Sequence, residues 1–185
     1  MFAILAEDIS DAEVLTHLVR RRLDDESISI KRKGYDGCAK LRRKGALDIR
    51  AFAQRGATRI IVCHDADQND PIELRKTILE EVVRPSQFAH LVCVAIPVEE
   101  IEAWIIADES AINKIIPSFR FKGHSNPESI NSPKEWLRDK SRAANGKPLY
   151  APKVFNPSVA KHLQFDVVEK KCPSFKSFLA WLDNP

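Results

Sequence analysis

Four apolar or alternating runs punctuate the first half of the chain, each followed by a stretch with helical spacing. Phe2–Ala6 is continuously apolar and reads as a strand buried on both faces, the pattern of a parallel sheet. Glu7 and Asp8 end it. Asp8 or Ser10 can cap a helix in which Val14, Leu15, Leu18, Val19 and Leu23 recur near a 3.6-residue period. Residues 27–33 alternate Ile28 and Ile30 with polar neighbours, as a half-covered strand towards a sheet edge does. After a turn over Gly34–Gly37, residues 38–55 read as a basic helix closed by Gly56. Ile60–His64 predicts the next buried strand, bounded by Gly56 and Pro71. Pro71 opens a helix to about Val83, stopped before Pro85. Residues 91–98 predict a further buried strand with Pro97 near its end, where proline is tolerated, and it feeds an acid-crowded helix over 99–108. The order βαβαβαβα predicts an α/β fold: a mostly parallel central sheet, helices on both faces and right-handed crossovers.

Composition shifts after Pro117. Residues 118–158 are rich in Pro, Ser, Asn, Gly and Lys, with a short helix near 134–139; two more are expected near 157–163 and 173–182. The last places Phe175, Phe178, Leu179 and Leu182 on one face, which should dock on the body. This divides the chain into an α/β core over 1–117 and a loop-rich, helical extension over 118–185 packed on it. A length of 185 residues suits one domain with such an extension, and 44% hydrophobic with 30% charged residues excludes a disordered chain. A net charge of +3 creates no whole-molecule field that compels nucleic-acid binding. Cys38, Cys63, Cys93 and Cys172 lack C-x-x-C spacing and read as reduced thiols rather than disulfides or a zinc site. The N-terminal apolar run meets Glu7 too soon for a signal peptide, and no run approaches membrane-spanning length. A soluble, cytoplasmic protein without a membrane partner is expected.

The candidate chemistry sits where strands end. Asp65 and Asp67 follow the Ile60–His64 strand one residue apart, so alternation can point both carboxylates the same way. Two like charges held that close repel unless a cation lies between them or one takes up a proton, and a hard divalent cation with oxygen ligands is the natural partner. The first strand ends at Glu7, with Asp11 four residues on. The last runs into Glu99, Glu100 and Glu102, of which Glu99 and Glu102 are expected on one helix face. In a parallel sheet all three ends share one rim, the place where open α/β sheets bind ligands. Each acid alone has a simpler reading, capping or complementing a helix dipole; their coincidence at three strand ends favours a site. His64 reads as structural or supporting, and Trp104 and Trp136 as core. Candidate phosphate contacts are Lys31, Arg32 and Lys33, then Arg42, Arg43 and Lys44, and Lys147 with Lys153, although such runs commonly form solvated faces. No aromatic-interleaved basic ribbon of an RNA-binding type is apparent.

Glu7-Asp-Ile-Ser-Asp11 after the first strand resembles the E-G-x-x-[DE] start of the Toprim fold, found in topoisomerases, primases and OLD-family nucleases. His64-Asp-Ala-Asp67 is similar to that fold's D-x-D motif. Ile101–Asp108, Leu149-Tyr-Ala-Pro-Lys153 and Cys172-Pro-Ser-Phe175 look like an uncharacterised bacterial Toprim-like family linked to ATPases of phage-defence type. Asp8 stands where the motif has glycine, a residue that permits close backbone approach. The resemblance implies a Toprim-like three-layer fold and a metal-binding, nucleic-acid-cleaving hydrolase of antiviral defence, with an ATPase partner. It also implies Mg²⁺ or Mn²⁺ held by Glu7, Asp11, Asp65, Asp67 and Glu102, with Glu7, Asp65, Asp67 and Lys153 as catalytic residues.

Two other functions fit parts of the pattern. Phe2–Asp8 also resembles the first strand and acid pair of a receiver domain, with Asp65 as phosphoacceptor, but the strand over 91–98 ends in glutamates where a receiver has lysine. A non-catalytic module, whose rim binds metal or a partner without cleaving anything, is the other.

Overall fold

The protein's structure, a computed structural model, describes residues 1–184. It contains β1 (Phe2–Ala6), α1 (Ile9–Arg22), β2 (Ile30–Gly34), α2 (Cys38–Gln54), β3 (Arg59–Cys63) and α3 (Pro71–Ile78). A π-helical turn over Leu79–Val83 carries α3 into a last turn, α4 (Arg84–Ser86), before β4 (Val92–Ala95). The strands pair in the order β2-β1-β3-β4, every pair parallel, so the expected α/β, Toprim-like three-layer architecture is the one the chain adopts. Alternation along β1 sets the layers. Phe2, Ile4 and Ala6 face a core shared with α1 and the later helices, while Ala3 and Leu5 face one shared with α2 and α3. The register brings Ala6 level with Cys63 and Cys63 level with Ala95, so the strands end in line and their outgoing loops share one rim.

Gly34 explains how the rim closes. A Cβ there would lie 2.5 Å from the Ile9 nitrogen, so only glycine lets the end of β2 pass against the β1–α1 turn. The exposed edge of β2 carries Lys31 and Arg32, with Arg32 paired to Glu13 at 3.2 Å and Lys33 to Asp48 at 2.7 Å, charges that discourage another strand from pairing there.

Differences from the sequence-based expectation cluster after β4. That strand ends at Ala95 rather than near residue 98, and the helix expected from residue 99 begins at Glu102 as α5 (Glu102–Ile106). Glu99 adopts a left-handed φ of 61° and its carbonyl accepts from the Asp67 N–H at 3.0 Å, as the Pro97 carbonyl accepts from Ala66 at 3.1 Å. The loops after β3 and β4 are thus bonded together, and Glu99 does not share a helix face with Glu102.

The rest of the chain adds α6 (Glu109–Ile115), α7 (Pro133–Lys140), α8 (Pro152–Ala160), α9 (Phe165–Lys171) and α10 (Pro173–Asp183). The helix expected from residue 157 starts at Pro152 instead, with Pro157 inside it, and α6 and α9 are too short for a periodic signal. Trp104 stacks on Phe178 at 5.7 Å and meets Phe175 edge-on at 5.2 Å, so α10 docks by the expected face. One hydrophobic cluster runs from β1 and α1 through Tyr150, Val159 and Leu182, joining residues on both sides of position 117. Trp136 is only half-buried. All four cysteines are free thiols, with Cys38 exposed and the others buried. Among the described residues no helix is long and apolar enough to cross a membrane.

Candidate functional site

Glu7 is the first residue past β1, and its carbonyl accepts from the N–H groups of Tyr35 at 3.3 Å and Gly37 at 3.0 Å, which fixes the turn. Its carboxylate reaches across the rim, accepting from the Asp65 N–H at 3.1 Å and lying 2.9 Å from His64 Nδ1. That ring nitrogen is also 2.8 Å from the Asp65 carbonyl; with only acceptors around it, it carries the proton. Burial alone would lower the His64 pKa, but the Glu7 carboxylate more than offsets this and raises it. The opposite nitrogen, Nε2, is buried with no hydrogen-bond partner among the described residues.

Asp65 is the hub. One of its carboxylate oxygens accepts from the Ile101 N–H at 3.1 Å, at the entrance to α5. Burial, then Asp11, Glu102, Glu7 and Asp67 in turn, raise its pKa well above the ordinary carboxylate value. Asp11, one helical turn beyond Glu7, is pushed to about 6 by burial and by Asp8, against the pull of Lys134. Glu102, only 4% exposed, is pushed to about 7 by burial and Asp11. Asp67 is exposed, in a left-handed conformation with φ 45°, and partial burial with the Glu7 carboxylate raises its pKa. The other four sequence-predicted carboxylates therefore all lie within electrostatic reach of Asp65, and Glu100 stands beside them, accepting from the Lys134 N–H at 2.8 Å.

The helical extension supplies three groups to the site; of these only Tyr150 lies in a motif the sequence offered, Leu149-Tyr-Ala-Pro-Lys153, and no role was read for it there. Lys134, at the start of α7, faces the cluster: burial would lower its pKa, yet Glu102, Glu100 and Asp11 raise it. Asn156 on α8 donates to Glu102 at 3.0 Å and accepts from the buried Tyr150 hydroxyl at 2.9 Å, so one amide orients the carboxylate and is itself oriented. Asn156 lies three residues after Lys153 on the same helix, the one spacing that could have drawn attention to it.

Lys153 is at the rim but engaged, paired to Asp8. Burial would raise the Asp8 pKa, but that lysine and the cap to Ser10 outweigh it and hold it down to about 2. Asp8 is extended, at φ −123° and ψ 154°, so the motif's glycine position requires no glycine here; the close approach is made by Gly34 instead. None of the other basic candidates is ion-paired to these acids: Arg42 pairs with Glu81 at 2.7 Å, Lys33 with Asp48, and Lys147 is exposed in the loop before Pro148.

Among the described residues no three His, Cys, Asp or Glu side chains are already posed as a coordination shell. The donor set nonetheless suits one kind of ion. It is all carboxylate oxygen, with pKa values raised first by burial and then by the neighbouring carboxylates, and hard cations of the Mg²⁺ and Mn²⁺ type prefer such ligands.

Fold and site together define a parallel α/β protein with a cluster of acids at the carboxyl rim of its sheet. The chain belongs to the family described as a domain of unknown function, DUF4276, whose model matches residues 6–183 and so spans the strands and the helical extension alike. Comparisons with curated proteins and with solved structures returned no match.

Proposed function

We propose that the acidic rim is the active site of a divalent-metal-dependent nuclease, a hydrolase of nucleic-acid phosphodiesters. The observation that carries this reading is the convergence of Glu7, Asp11, Asp65, Asp67 and Glu102 from three separate strand ends, where burial and mutual repulsion raise the pKa values of Asp11, Asp65, Asp67 and Glu102. These five would hold Mg²⁺ or Mn²⁺, an ion that supplies an oriented water and neutralises charge on the scissile phosphate.

The chain's own groups have separable tasks. The Ile101 N–H and the Asn156 amide hold Asp65 and Glu102 in fixed orientations, so little rearrangement is needed when substrate arrives. His64, donating from Nδ1, together with the Asp65 N–H holds the Glu7 carboxylate at the rim, where Glu7 could accept a proton from the attacking water. Lys134 and Lys153 bring positive charge to the pocket and its rim, where a phosphate would lie. Phosphorylation of Asp65 in a receiver-like role is disfavoured by the same geometry, since it adds negative charge amid four other acids. The resemblance to an ATPase-linked bacterial family supports a wider setting, a nuclease acting with an ATPase partner in antiviral defence.

The test incubates the protein with single- and double-stranded DNA and RNA in Mg²⁺, Mn²⁺ or chelator, beside Asp65→Asn. Cleavage that needs the metal and disappears in the variant supports the reading. Intact substrates throughout, or cleavage indifferent to chelator and variant, would overturn it.

A further inference from the structure

A second feature lies on the other side of α7, outside the acidic pocket. Residues 119–122 read Phe-Arg-Phe-Lys, a short aromatic–basic alternation in a stretch where no such ribbon was expected. The segment is held by Asn113, whose side chain accepts from the Phe121 N–H at 2.7 Å and donates to the Phe121 carbonyl at 2.8 Å. Together with Trp136 and Lys140 it lines a groove of about 340 Å³, within the range that accommodates small-molecule-sized groups.

The aromatic groups form a tilted cluster, with His124 also edge-on to Trp136 at 5.7 Å. Phe121 is buried and meets Trp136 edge-on at 6.1 Å and Phe119 at 5.1 Å, while Trp136 and Phe119 remain half-buried. The cations carry no ion pairs. Arg120, Lys122 and Lys140 are exposed and have no ion-pair partner among the described residues, whereas Arg22, Arg32, Arg42 and Arg142 are all paired. Lys140 already stands 5.5 Å from the centre of the Trp136 ring.

The groove and the acidic pocket share a wall. Lys134, which faces the carboxylates, starts the helix that carries Trp136 and Lys140, about 9 Å along its axis from first to last. On the other side the Phe119 ring lies 6.5 Å from that of Tyr150, whose hydroxyl leads through Asn156 to Glu102.

We infer that this groove binds a single-stranded nucleic-acid segment, with bases stacked on Trp136 and Phe119 and phosphates on Arg120, Lys122 and Lys140, and that it leads the strand to the acidic rim. The last step rests on the nuclease reading; the binding does not. Aromatic faces beside unpaired cations are the pairing that holds single strands, because every base offers a π-face and every linkage a charge. Bases inside a duplex already stack on their neighbours and cannot use these rings, so the inferred substrate is unpaired.

The test is fluorescence anisotropy of a labelled twelve-nucleotide DNA or RNA strand with the full chain in chelator, where no metal-dependent cleavage intervenes. The single strand should bind more tightly than its duplex or a polyglutamate peptide. Trp136→Leu should weaken binding about 5- to 150-fold. Because that variant can disturb the core, the surface triple Arg120→Glu, Lys122→Glu, Lys140→Glu gives a second reading: at least tenfold weaker binding, and a log–log salt slope shallower by about 2. A matched triple at exposed positions elsewhere, Arg55→Glu, Lys161→Glu and Lys176→Glu, should bind within about threefold of the wild type. No binding, equal binding of duplex, tighter binding of polyglutamate, or equal losses in the two triples would each overturn the inference. Strand binding without cleavage in Mn²⁺ would leave the groove standing and remove the nuclease; cleavage unaffected by the groove variants would do the reverse.

Discussion

The pocket has two halves built on different principles. The half at the strand ends (Glu7, Asp65, Asp67, with Asp11 and Glu102 in the adjoining helices) is made of like charges forced together by a level parallel register. The half from the extension (Lys134, Tyr150, Asn156) is made of donors that face those charges. The first carries unfavourable energy in the folded chain and is where chemistry is expected. The second offsets part of that repulsion. Substitutions in the two halves should therefore move stability in opposite directions, with the larger loss of reactivity in the first.

The largest expected effect is on cleavage. Asp65→Asn keeps an oxygen for the Ile101 N–H but removes the charge, and should lower metal-dependent cleavage by about a thousandfold, the scale of losing a preorganised electrostatic group. The same variant should unfold at higher urea in chelator at pH 8, because it relieves repulsion. A variant both less active and less stable would break the contrast.

Next comes pH. Asp11 and Glu102 have folded pKa values of about 6 and about 7, above those of ordinary carboxylates, so the folded state holds protons that the unfolded chain has released. The associated stability is fully present near pH 4 and is lost as pH rises through 6 and 7. In chelator, urea midpoints should fall across that window by the equivalent of about 3 kcal/mol, from a shift of roughly two units in one group. Asp11→Asn or Glu102→Gln should flatten the decline. Asp8, held near 2 by Lys153 and Ser10, acts with the opposite sign, its contribution being lost only in more acid solution.

The donor half should show smaller losses. Asn156→Ala leaves the Tyr150 hydroxyl and Glu102 without their shared partner inside the protein and should cost about 1–3 kcal/mol in chemical unfolding. Lys153→Met removes an exposed pair with Asp8 and should change stability by less than about 1 kcal/mol. Equal costs at the two positions would mean that α8 contributes packing rather than specific bonds to the pocket.

The same contrast explains which parts were legible in the sequence. Continuous apolar runs at Phe2–Ala6 and Ile60–Cys63 mark buried parallel strands, and once the sheet is parallel the acids at their ends must share a rim. Residues 99–101 were less readable, because the left-handed turn at Glu99 is imposed by bonding to the loop after β3, a contact distant in the chain. The parts played by Lys134, Asn156 and Tyr150 (the last visible only as part of the Leu149–Lys153 motif) were hidden for a similar reason. None follows an apolar period, and their role depends on how α7 and α8 pack against α5 and α1. The Phe119–Lys122 alternation was readable but lies in a segment whose Pro, Ser and Gly content suggested only a loop.

The most direct measurement is calorimetric titration of Mn²⁺ into the full chain near pH 7.5, with Asp65→Asn in parallel. Raised carboxylate pKa values predict saturable binding with release of protons and a rise in unfolding temperature, all missing from the variant. A wild-type protein that binds no Mn²⁺, or a variant that binds it equally well, would contradict the claim that these five carboxylates form a metal site.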